Sequence, residues 1–125
     1  MIIAMSGCVL VVDDDPAFRN IARRVLADVG LAVVGEADTA AAALAAAGTL
    51  RPDGVLVDVG LPDRDGVDLA RELTALPWRP RVVLTSTDTE AATARDVNGS
   101  GAQAFVPKVD LPNAPLAELL GRSTA

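Results

Sequence analysis

Residues 8–16 read Cys8-Val9-Leu10-Val11-Val12-Asp13-Asp14-Asp15-Pro16. The five apolar residues are too few for a helix and rich in β-branched side chains, the pattern of a buried parallel strand. Asp15 then suits a helix N-cap and Pro16 a first helical turn. Phe18, Ile21, Ala22, Val25, Leu26 and Val29 recur at helical spacing, while Arg19, Arg23, Arg24 and Asp28 fall mostly on the other face. Gly30 stops the run.

The same strand-then-helix unit recurs along the chain. Ala32–Gly35 reads as a second strand, followed by an alanine-rich helix capped by Asp38 or Thr39 that runs to about Ala47 and ends at Gly48. Val55–Val59 is a third strand with Asp58 at its carboxyl end. A loop over residues 60–66 leads to a helix through Val67, Leu69, Ala70, Leu73 and Leu76, closed by Pro77. Arg81–Leu84 is a fourth strand, ending in Thr85-Ser86-Thr87. Thr89–Val97 has helical composition and is broken by Asn98-Gly99-Ser100-Gly101. Ala104–Val106 is the fifth strand, and a short helix covers about Ala114–Leu120 with Pro115 in its first turn. Five strands alternating with helices predict an α/β fold: a doubly wound five-stranded parallel sheet in the flavodoxin-like order 2-1-3-4-5, helices on both faces.

With 125 residues, half of them apolar, the chain has material for one domain and its core. The expected domain spans 8–120, with 1–7 an N-terminal tail and 121–125 a C-terminal tail or the start of a linker. A formal charge of -6 and a near absence of aromatic residues disfavour direct nucleic-acid binding. There is no histidine, which removes histidine triads, histidine bases and most zinc sites. Cys8, alone and inside an apolar run, reads as a buried small hydrophobe. No basic leader precedes the first strand and no run is long enough to span a membrane, so a cytoplasmic setting is expected.

In such a sheet ligands gather beyond the carboxyl ends of the strands, where the strand order switches. Strands one and three are neighbours there, which places Asp13 and Asp14 beside Asp58. Carboxylates that close repel one another, and a divalent cation offsets this; an all-oxygen set suits Mg²⁺ or Mn²⁺. An Asp after a strand is common on turn chemistry alone. Three of them converging from adjacent strands are harder to explain that way. Thr85 and Lys108 end strands four and five at the same edge. The Lys108 ammonium can pair with Asp58 or with an added phosphoryl oxygen, and the Thr85 hydroxyl can donate to another.

With these residues in place, the chain resembles the receiver domain of bacterial response regulators over roughly residues 8–120. The matching stretches are Val11-Val12-Asp13-Asp14-Asp15-Pro16, Val57-Asp58-Val59-Gly60-Leu61-Pro62 with Asp65-Gly66, Leu84-Thr85-Ser86, and residues 101–108, ending Phe105-Val106-Pro107-Lys108. The resemblance implies that Asp58 accepts a phosphoryl group from a sensor histidine kinase or phosphotransfer protein. It implies Mg²⁺ on Asp14, Asp58 and the Gly60 carbonyl, with Asp13 acting mainly through water. It also implies Lys108 as counter-charge, Thr85 as switch hydroxyl, and Phe105 as the aromatic that turns inward with it. A homodimer or effector contact would use the face formed by helix four, strand five and helix five. The stretch Pro107-Lys108-Val109-Asp110-Leu111 is nearer to receivers that precede helix-turn-helix output domains.

Two other classes compete. A pseudo-receiver would serve only as a protein-binding module, against which the set Asp13, Asp14, Asp58, Thr85 and Lys108 speaks. An Asp-nucleophile phosphohydrolase needs an acid/base carboxylate two residues after its nucleophile; Asp15 follows Asp13 so, but Pro16 and the missing cap insertions disfavour turnover. A dinucleotide site is less favoured still, since Asp13-Asp14-Asp15 stands where a glycine loop would be needed.

Overall fold

Val9 and Val11 point to one side of the first strand and Leu10 and Val12 to the other, and all four are buried. That double burial is what a central parallel strand requires. In the computed structural model, which describes residues 7–122, β1 (Cys8–Val12) is the second strand of a five-stranded sheet in the order β2-β1-β3-β4-β5. The others are β2 (Ala32–Ala37), β3 (Gly54–Asp58), β4 (Arg81–Thr85) and β5 (Ala104–Phe105), every pairing parallel. Helices α1 (Pro16–Asp28), α2 (Ala40–Leu50), α3 (Gly66–Thr74), α4 (Ala94–Ser100) and α5 (Leu116–Leu120) alternate with them. Apart from Gly7, the expected N-terminal tail lies outside the described residues, as do residues 123–125 of the C-terminal one.

Two cores sandwich the sheet. On one face Leu10, Val12, Val55, Val57, Val82 and Leu84 meet α2 and α3. On the other, Val9, Val11, Leu56 and Val83 meet Phe18, Ala22 and Leu26 of α1 and Leu116 and Leu120 of α5. Helix α2 covers its face with Ala40, Ala43 and Ala47, small side chains that let it sit close to the sheet. The doubly wound architecture is as expected.

Local boundaries differ in instructive ways. Gly48 does not end α2; the helix continues to Leu50 and turns at Arg51, which adopts φ 47°. The preceding alanines carry enough helix propensity to run through one exposed glycine, and Pro52 then forbids continuation. Helix α4 is shifted later than Thr89–Val97: a reciprocal cap between Thr93 and Asp96 starts it, Asn98-Gly99-Ser100 belong to it, and Gly101 at φ 81° ends it. Helix α3 stops at Thr74, three residues before Pro77. A 3-10 turn over Lys108–Asn113 fills the approach to α5, where Pro112 and Pro115 shorten the helix to five residues. Ile21, expected on the buried stripe of α1, is 56% exposed, and Cys8 is only partly buried.

At the carboxyl edge the backbone continues the sheet past its strands. Asp13 donates its N–H to the Ala37 carbonyl (3.0 Å), Val59 to Thr85 (2.9 Å) and Lys108 to Ser86 (2.9 Å). The loop after β3 is tied down too: the Asp63 carboxylate accepts from the first two N–H groups of α2, Ala40 (2.8 Å) and Ala41 (3.0 Å). Those are donors a helix N-terminus leaves unsatisfied, and they hold Asp63 below the usual carboxylate range.

Candidate functional site

Asp58 is the last residue of β3 and pairs in register with Thr85, the last residue of β4. Asp13 follows β1 directly. Carboxylate oxygens from Asp13, Asp14 and Asp58 all lie within 4.8 Å of one another. Asp13 is wholly buried, Asp58 nearly so, and Asp14 faces solvent. One strand end therefore supplies a hidden anion, its neighbour a second, and the turn between strand and helix a third that opens outward.

Such crowding is unfavourable without a cation. Burial and then the Asp13 charge push the Asp58 carboxyl above its usual 3.8, with Asp14 adding to the effect and Lys108 opposing it. Asp13 Oδ1 accepts from the Asp15 N–H (2.8 Å). Its Oδ2 is buried and lacks a directed hydrogen bond; the Lys108 ammonium stands 2.7 Å away as a charge contact without good donor alignment. A deeply buried carboxylate oxygen with an electrostatic neighbour only, inside a triad of like charges, fits a divalent cation. Residues 13, 14 and 58 thus form a site able to chelate one.

Lys108 pairs with Asp13, not with Asp58 as one expectation had it. Its stem leaves the 3-10 turn on the α1 side, and its ammonium lies 4.1 Å from the centre of the Phe18 ring. That cation–π contact and the Asp13 carboxylate hold the ammonium from two sides. Thr85 is fully buried, and its hydroxyl donates to the Val106 carbonyl at 2.7 Å. Phe105 is partly buried against the α2–α3 core. Gly60 stands beyond Asp58, its N–H directed at Asp58 Oδ1 (3.4 Å).

Sequence reasoning passed over three contributors. In the sequence Phe18 reads only as core and Arg19 only as outer face, while Gly66 stands as the end of a loop and in the Asp65-Gly66 match without a stated role. Arg19 donates from Nη1 to the Asp13 carbonyl (2.6 Å) and from Nε to Glu36 (2.8 Å). Both α1 residues were in principle findable, because a helix starting straight after a strand places its first turn over that strand's end.

The profile of the response regulator receiver domain matches residues 9–116. The chain belongs to that family. Among proteins similar to this receiver is a protein-glutamate methylesterase/protein-glutamine glutaminase from Hahella chejuensis, 34% identical over 109 residues, 86% of this chain and 31% of that protein. Another is the KDP operon transcriptional regulatory protein KdpE of Escherichia coli, 37% identical across 66% of this chain and 36% of its own. The chain thus spans about a third of these two relatives. A LuxR-family two-component response regulator from Aurantimonas sp. SI85-9A1 superposes with a TM-score of 0.79 at 28% identity, covering 90% of this chain and 81% of that one. The acidic triad with the Lys108–Asp13 bridge matches the phosphoacceptor and Mg²⁺ site of receivers. The chemistry is that of phosphoryl acceptance, not of repeated turnover, and the family implies partnership with a histidine kinase or phosphotransferase. Among the described residues no helix is long and apolar enough to cross a membrane.

The raised carboxyl of Asp58 has a consequence for stability. A group whose folded value lies above its unfolded one binds more protons when folded, so stability falls as pH rises from the ordinary 3.8 through the folded value. Asp58→Asn in metal-free protein is therefore expected to be stabilising at pH 7 and to lose that advantage near pH 3.5. Urea unfolding at the two pH values measures it; equal advantage at both would refute the electrostatic origin.

Proposed function

We propose that Asp58 is the residue phosphorylated in this receiver, within a unit spanning residues 8–120. The observation that carries the reading is the junction of β1 and β3, where Asp58 shares one small space with Asp13 and Asp14 while Lys108 stands over the same cluster. A divalent cation there, with Mg²⁺ favoured and Mn²⁺ suitable, would neutralise phosphoryl oxygens and draw the donor toward Asp58. Asp14 and Asp58 are the proposed direct ligands, with the Gly60 carbonyl, and Asp13 acts through water. Lys108 would move from Asp13 to a phosphoryl oxygen as charge builds on Asp58.

Thr85 is the proposed readout. Its hydroxyl already has a partner in the Val106 carbonyl, so turning toward a phosphoryl group gives up that bond for a charge-assisted one. The exchange frees the backbone just after β5, and Phe105 beside it would follow inward. The output surface would be α4, β5 and α5, for a homodimer or an effector. The receiver is proposed to act in the cytoplasm, and its donor to be a sensor histidine kinase or phosphotransfer protein.

The deciding experiment is intact-mass analysis after acetyl phosphate with Mg²⁺. One phosphoryl group is expected on the parent and none on Asp58→Ala. Equal labelling of both proteins would remove Asp58 from the reaction.

A further inference from the structure

Asp14 is the odd member of the acidic triad. Its carboxylate is exposed, and among the described residues nothing hydrogen-bonds it. Asp13 is held at every polar atom: its N–H by Ala37, Oδ1 by Asp15, Oδ2 by the Lys108 charge and its carbonyl by Arg19. The direction in which Asp14 leaves the chain is thus set through its backbone alone. The Asp13 carbonyl belongs to the peptide plane that joins the two residues, and rotating that plane swings the Cβ of Asp14.

We propose that Arg19 is a positioning residue for the cation site, fixing the Asp13–Asp14 peptide plane so that the free carboxylate of Asp14 faces the cation. The guanidinium is suited to this because its planar fork makes two bonds at once. Nη1 reaches the Asp13 carbonyl, and Nε is anchored on Glu36 of β2. Arg23, one helical turn on, holds the other oxygen of the same carboxylate, so Glu36 stays ionised and aligned. Its charge also offsets that of Arg19, which would otherwise repel a metal. A lysine at position 19 keeps the charge but cannot span both acceptors in this geometry.

The inference rests on the triad being a metal site, and the test separates the two. Mn²⁺ binding to the full chain is measured by electron paramagnetic resonance for the parent, Arg19→Lys, Arg23→Lys and Asp14→Asn. Arg19→Lys is expected to weaken binding about tenfold, as loss of a group that orients a ligand does. Its metal-free melting temperature should fall by no more than about 3 °C, because the Arg19–Glu36 pair is only half-buried and a lysine keeps the charge beside Glu36. Arg23→Lys keeps a cation beside Glu36 and leaves the bond from Arg19 to the Asp13 carbonyl in place, so it should bind within about twofold of the parent. Labelling by acetyl phosphate should recover in Arg19→Lys at saturating Mn²⁺, a defect in affinity and not in rate. Unchanged affinity in Arg19→Lys, or equal weakening in both arginine variants, overturns the role of Arg19. A parent that binds no Mn²⁺ overturns the metal site as well.

Discussion

Gly66→Ala is expected to destabilise the protein by about 3 kcal/mol and to abolish phosphoryl acceptance, although residue 66 offers no reactive group. A Cβ built at Gly66 would lie 2.2 Å from the Asp58 carbonyl oxygen and 2.7 Å from the Val59 Cα. Both obstacles are backbone, so no side-chain rotation relieves them. The N–H of Gly66 also donates to the Val59 carbonyl (2.8 Å), which locks α3 against the end of β3. Either the helix retreats and opens the α3 core, or the strand end shifts and carries Asp58 out of the triad. Gly60→Ala is the control: its Cβ would meet nothing within 4 Å, and stability should stay within about 0.5 kcal/mol of the parent. Urea unfolding and intact-mass labelling of both variants decide the matter. A Gly66→Ala protein as stable and as readily labelled as the parent would show that the loop yields freely.

Lys108→Met should destabilise the metal-free protein by about 2 kcal/mol, less than a fully enclosed ion pair would, because the lysine side chain keeps 14% of its exposure. The loss comes from Asp13. With the ammonium gone, its buried Oδ2 faces Asp58 and Asp14 without a counter-charge. Mg²⁺ should restore most of the deficit, since the variant's vacant electrostatic position favours the cation and binding to the folded state alone adds stability. The stabilisation by Mg²⁺ is thus expected to be larger in Lys108→Met than in the parent. Thermal unfolding across a Mg²⁺ titration measures it; a smaller shift in the variant would mean that Lys108 assists the cation instead of standing in for it.

How much of this was legible in the sequence follows from the range of each interaction. The strand Cys8–Val12, its acidic end and the alternation of strands with helices are written in adjacent residues, and the architecture followed from them. Convergence of Asp13, Asp14 and Asp58 was legible as well, because strand order places two known positions side by side. What Lys108 pairs with was not, since its direction depends on a 3-10 turn, begun at Pro107 and containing Pro112, whose path neighbouring residues do not specify. Helix α4 was misplaced because a threonine–aspartate cap four residues inside the expected helix outweighed the helical composition ahead of it. Arg19 lay on a face that looked solvent-directed, and only its place in the first turn after β1 marked it as able to fold back over the strand end. Gly66 was silent for a related reason: a missing side chain shows its purpose only when its neighbours are known.

The two-residue β5 has a bearing on crowding in the cell. A sheet edge is a row of open backbone donors and acceptors, and a long one can recruit a strand from another molecule. Here the outer strand proper is only Ala104–Phe105, and Pro107 just beyond it adds a position with no N–H to offer. An incoming strand would find too few bonds to stay. The segment that must loosen when Thr85 lets go of Val106 is therefore also the one least able to seed fibrous association, so repeated switching need not expose the molecule to aggregation.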